Sequence, residues 1–195
     1  GRIGHPALIG MNRSLHTLLS RTIWVLCAVV WLTGCAGPRA AAPLEAGRIE
    51  SKIASLQGRL KGLGPTTDPD EARRVAHTAV TDSYRLAEDY RLATPARWHN
   101  LLIQVGLRER GLCFHWAEDL MKRLQALNLR TYRLHWGVAH QGSDLYEHNS
   151  VVITASNQPF ENGLVLDPWR NSGDLYWAAV REDDYPWVPL PPDQW

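Results

Sequence analysis

The chain has 195 residues, 45% of them hydrophobic, with 21 Lys and Arg against 20 Asp and Glu and a formal charge of +1. That balance provides no basic excess to hold a phosphate backbone, and the length suits one domain behind its leading segments. Residues 1–34 hold three Arg and no acid, so the remainder is slightly acidic and no nucleic-acid partner is expected.

Met11 offers a natural start, which makes residues 1–10 upstream sequence. From Met11 a basic stretch ends at Arg21 and an apolar run covers residues 22–32, too short for the roughly 20 helical residues of a bilayer span. This is the layout of a secretory signal. Leu32, Thr33, Gly34 and Cys35 resemble the bacterial lipobox, which implies cleavage before Cys35 and acylation of its sulfur. The expected site is the bacterial cell envelope. There the acylated Cys35 holds the chain on the lipid bilayer of the inner or outer membrane, with the domain facing the periplasm. Residues 1–34 therefore read as upstream residues and signal peptide, 35–64 as a lipidated tether with a short amphipathic helix, and 65–195 as the folded domain.

The tether, rich in Ala and Pro, gives way to Ile49, Ile53, Leu56, Leu60 and Leu63, a one-sided helical stripe that stops at Gly62 to Pro65. It reads as a helix packed on the domain or a short self-associating one. Asp68, Pro69, Asp70 and Glu71 announce a second helix, with an N-cap acid and Pro at its first position, running to about Leu92. A third helix of about ten residues follows from Ala96.

Cys113, Trp116, Ala117, Leu120, Met121, Leu124 and Leu127 repeat with period 3.6 and predict a helix with Cys113 in its first turn, on the core-facing stripe. The period then changes to two at Tyr132, Leu134, Trp136 and Val138, and further strands are predicted at His148–Ala155 and Leu164–Asp167. The Pro-rich tail from Tyr185 excludes a central strand and predicts an extended strap. Helices first and antiparallel strands after make an α+β fold, N-terminal helices packed on a small antiparallel sheet.

Of the three Cys, Cys27 leaves with the signal and Cys35 is spent on lipid, leaving Cys113 without a partner where thiols oxidise. A lone Cys on an apolar stripe is either a small core residue or a retained nucleophile. A helix N-terminus favours the thiolate, an imidazole can exchange its proton, and a carboxylate can fix the ring tautomer. The order Cys113, His148, Asp167 supplies the three parts. His135 and His140 are rivals for the base, and Asn149 points away from its neighbour His148 on a strand. A zinc site from Cys113 and His115 lacks the spaced ligand pairs such sites show.

Gly111-Leu-Cys113-Phe-His-Trp-Ala117, Glu147-His148-Asn149 and Leu166-Asp167-Pro168 resemble the Cys helix, His strand and Asp-Pro strand end of the transglutaminase-like, papain-related superfamily of cysteine peptidases. The resemblance covers roughly residues 96–170. It implies a transglutaminase-like core with Cys113 as nucleophile, His148 as base and Asp167 as orienter. The implied activity is an acyl-thioester mechanism of amide hydrolysis or transfer on envelope proteins or peptides, with no cofactor and no metal. His115 stands where the family often has an acid; with Trp169 and Arg170 it is a candidate for the substrate rim. The alternative is a catalytically inactive domain of this kind, serving as an envelope binding or scaffold lipoprotein.

Overall fold

The computed structural model describes residues 46–143 and 146–195. The expected signal segment, the lipobox-like stretch and Cys35 lie outside the described residues. Among the described residues four α-helices precede a five-stranded antiparallel sheet: α1 (Ala46–Lys61), α2 (Pro69–Asp89), α3 (Ala96–Gln104), α4 (Cys113–Gln125), β1 (Tyr132–Ala139), β2 (His148–Ala155), β3 (Leu164–Asp167), β4 (Tyr176–Ala179) and β5 (Val188–Leu190). The sheet order is β4-β3-β2-β1-β5, so β2 is central and β5 is an edge. The fold is α+β. Among the described residues no helix is long and apolar enough to cross a membrane.

Local chemistry explains the helix boundaries. Asp68 accepts hydrogen bonds from the backbone N–H groups of Asp70 and Glu71 at 2.7 and 2.9 Å, and Pro69 occupies the first turn, where its missing N–H costs nothing. α2 stops at Tyr90, and Arg91 follows with φ of 48°, outside helical space. Glu71 fastens α2 to the start of β1: its carboxylate accepts from the backbone N–H groups of Arg130 and Thr131, both at 2.9 Å.

The helix predicted within residues 35–64 belongs to the core. Leu56 and Leu60 of α1 are fully buried in one cluster with Val75 and Ala79 of α2, Leu120 and Leu124 of α4, Val151 and Ile153 of β2 and Leu164 and Leu166 of β3. Two wholly buried Leu side chains contribute about 1.5–3 kcal/mol each, which anchors α1 against the domain. Lys52 of α1 adds an ion pair to Asp174. The compact part of the chain therefore begins before residue 65.

The alternate residues of the strands face a second cluster. Val152 and Val165 pack there with Phe160, Val180 and Trp187, and strand alternation places His148 and Asp167 on that side too. β4 carries no sequence alternation and was not foreseen; it pairs with β3, setting Tyr176 opposite Asp167. The tail supplies β5, paired with β1 so that Pro189 lies opposite Gly137. An edge strand tolerates Pro because one side of its ladder has no partner. Gly137 is required by space: a Cβ there would come within 2.9 Å of Val152 and 3.3 Å of the Trp187 ring. Its absence lets Trp187 lie on the sheet beside His148.

Candidate active site

Cys113 opens α4 because the chain around Gly111 and Leu112 is fastened in several ways. Gly111 has φ of 123°, and a Cβ on it would run into the His99 ring. His99 is fully buried; its Nδ1 accepts from the Ala93 N–H at 3.2 Å, so its Nε2–H donates to the Arg110 carbonyl at 2.8 Å. Trp116 Nε1–H donates to the Gly111 carbonyl at 2.9 Å. The His115 ring turns back so that Nδ1 accepts from the N–H groups of Gly111 and Leu112, both at 3.2 Å. This use as a cap requires a neutral imidazole, in keeping with a proton affinity lowered by burial and by Arg110.

The thiol of Cys113 is half-buried rather than turned fully into the core, and it contacts the Glu147 carbonyl at 3.9 Å. The stripe predicted to face the core is buried from Trp116 to Leu124, with Leu127 half-buried beyond the helix end, while its first residue, Cys113, is half-buried. That position puts the sulfur at the N–H end of α4, where the helix carries partial positive charge.

His148 begins the central strand and is 3% exposed. Its Nε2 lies 2.6 Å from Asp167 Oδ2. The β2–β3 register sets Val151 opposite Leu166, so Asp167 falls opposite Ser150 and reaches His148 along the diagonal of one sheet face. A carboxylate accepts only, so Nε2 carries the proton and Nδ1 is left for the thiol. Burial lowers the proton affinity of the imidazole, but hydrogen bonding to Asp167 and to Cys113 outweighs it and raises the pKa to about 9. The imidazole is thus held as a cation beside the sulfur at neutral pH. Aromatic rings enclose it: Trp169 and Tyr185, each with ring centre at 4.9 Å, and Trp187 at 5.4 Å.

Asp167 is wholly buried. Of the two rivals for the base, His135 bonds Thr154 at 3.0 Å, and His140 lies edge-on to Tyr185, one of the rings around His148. Asn149 faces away, accepting from Trp136 Nε1–H at 2.7 Å.

Of the candidate rim residues, Trp169 stacks near His148 and donates to Asn100 at 3.3 Å. His115 serves the backbone of the helix start. Arg170 is turned inward, bonded to Asp167 and Asp183, with its side chain 18% exposed. Phe114, which follows Cys113 in the chain, is exposed and lies against the His115 ring at 4.0 Å. Sequence reasoning did not single out Asp183 or foresee that Tyr185 and Trp187 pack on the imidazole; two aromatics alternating with Pro in a Pro-rich tail were the signal. Glu118 and Asp119 are tied up by Arg110 at 2.9 and 3.0 Å. Among the described residues no group of three or more His, Cys, Asp or Glu is placed to hold a metal.

Together these features define an α+β protein with a cysteine, a histidine and an aspartate converging at one end of a helix and one face of a sheet. Compared with family models, curated proteins and solved structures, the chain has no match.

Proposed function

We propose that this chain is a cysteine hydrolase or amide transferase with a transglutaminase-like core, tethered to the membrane of a bacterial cell envelope through acylated Cys35 and acting on envelope proteins or peptides. The observation that carries the reading is the 2.6 Å bond from His148 to Asp167, which spends one ring nitrogen on an orienting carboxylate and leaves the other for Cys113.

In this reading the Cys113 thiolate adds to an amide carbonyl, and the free N–H groups at the start of α4 stabilise the oxyanion. The His148 imidazolium gives its Nδ1 proton to the departing amine as the C–N bond breaks, leaving an acyl thioester. Water or an acceptor amine then attacks; His148 takes its proton, and the C–S bond breaks to release acid or new amide and restore the thiolate. The Cys113, His148 and Asp167 order, the strand placement of the last two and the helix-borne thiol support the transglutaminase-like assignment.

Iodoacetamide tests the centre. Cys113 is expected to label near pH 7 faster than a model thiol, and Cys113→Ala to abolish both labelling and amide turnover. Labelling that sets in only above about pH 8.5, as for an ordinary thiol, sinks the enzymatic reading. The tether is tested by mass spectrometry of the mature chain: a diacylglyceryl group on Cys35, absent from Cys35→Ala, is the expected result.

A further inference from the structure

Arg170 stands behind the carboxylate that orients His148. Its Nε donates to Asp167 Oδ2 at 3.1 Å and its backbone N–H to Oδ1 at 3.2 Å, so one residue pins both oxygens. At the far end of the guanidinium, Nη2 donates to Asp183 Oδ1 at 3.1 Å. The rings of Tyr176 and Tyr185 flank it at 4.0 and 4.7 Å.

An exposed Arg–carboxylate pair contributes about 0–1 kcal/mol and holds no fixed geometry. This one differs. The Asp183 side chain is inaccessible, as is that of Asp167 at 1%, and a buried carboxylate needs a cation in good geometry to offset its lost hydration. A guanidinium holds its donors in a rigid planar fork that can address both carboxylates in fixed directions, whereas an ammonium is a point charge on a flexible stem. Asp183 Oδ1 also accepts from the Tyr185 N–H at 3.0 Å, which fixes the segment whose Tyr185 and Trp187 rings enclose the imidazole.

We propose that Arg170, anchored by Asp183, is a positioning residue that locks the Asp167 carboxylate in the orientation His148 needs. The proposal rests on reading Cys113, His148 and Asp167 as a working triad, and it ties the C-terminal segment to that triad. The charged and titratable groups facing His148 are Cys113 from α4, Asp167 from β3 and Tyr185 from the C-terminal segment, with Arg170 and Asp183 one layer behind.

The test compares Arg170→Gln with the double variant Arg170→Gln/Asp183→Asn. The single substitution leaves the Asp183 carboxylate buried without a cation and lowers thermal stability; the double substitution removes one charge of each sign and regains most of it. In the folded double variant the NMR titration midpoint of His148 is expected to fall by about one pH unit or more, a tenfold loss of proton affinity. The iodoacetamide rate at pH 7 stays about tenfold or more below wild type, while Arg170→Lys gives intermediate values. Asp183→Asn alone shifts the midpoint the same way by less. A wild-type midpoint in either folded Asp183 variant overturns the proposal. Ordinary thiol reactivity in the unsubstituted protein sinks the enzymatic reading instead, and the midpoint comparison still decides the role of Arg170.

Discussion

The Nε2 nitrogen of His148 and the Oδ2 oxygen of Asp167 lie 2.6 Å apart, with side chains only 4% and 1% exposed. A bond of this length between groups screened from water is a charge-assisted one, and it decides the protonation state of the ring. Burial alone would favour neutral imidazole, yet Asp167 and Cys113 raise the pKa to about 9.

Burial is the largest single influence, and replacing Asp167 with Asn removes the stronger of the two partners that oppose it. The NMR midpoint of His148 in Asp167→Asn is expected to fall at least one unit below the wild-type value of about 9. Amide turnover is expected to fall about 10²-fold or more, because Asn can also hold the ring in the wrong tautomer. The same bond has a stability consequence. The folded pKa is above the unfolded value of about 6.5, so the contribution is complete below about pH 6.5 and is lost as pH rises through 9. Denaturant midpoints should therefore drop between pH 6.5 and 9.5 in wild type and change less over that window in Asp167→Asn. Equal pH slopes in the two proteins would count against the assignment.

Gly111→Ala tests how the nucleophile is placed. The residue has φ of 123°, and the added methyl would meet the ring of His99, which is held between the Ala93 N–H and the Arg110 carbonyl. Backbone strain and a displaced buried ring together should cost about 2–3 kcal/mol in urea unfolding. Iodoacetamide labelling of Cys113 should slow as well, since the helix start shifts. Wild-type stability with wild-type labelling would show that the turn tolerates a side chain.

Trp187→Ala probes the C-terminal segment. The ring is 7% exposed, belongs to the cluster behind the sheet and lies 5.4 Å from His148. Truncation should cost about 3–5 kcal/mol, and Trp187→Phe much less, because most of the apolar volume is retained. Hydrogen exchange at Val188–Leu190 should accelerate in the Ala variant. Unchanged exchange there would mean that β5 holds without its aromatic anchor.

How far the molecule could be read in advance differs from element to element. The N-cap at Asp68, the start of α4 at Cys113, and the strands His148–Ala155 and Leu164–Asp167 are local events. Capping oxygens, Pro at a first turn and the change of period from 3.6 to two act within a few residues, so sequence alone determined them. The pairing of His148 with Asp167 was legible because a central strand and its neighbour must carry those two residues on one face. Tertiary structure decided the rest. α1 became core because Leu56 and Leu60 found an apolar surface made by distant residues. Arg170 turned inward because Asp167 and Asp183, sixteen residues apart on either side of β4, place two buried carboxylates where a cation is needed. The tail became an edge strand because Gly137 left room for Trp187. Each depends on a neighbour brought close only by folding, and no local periodicity records it.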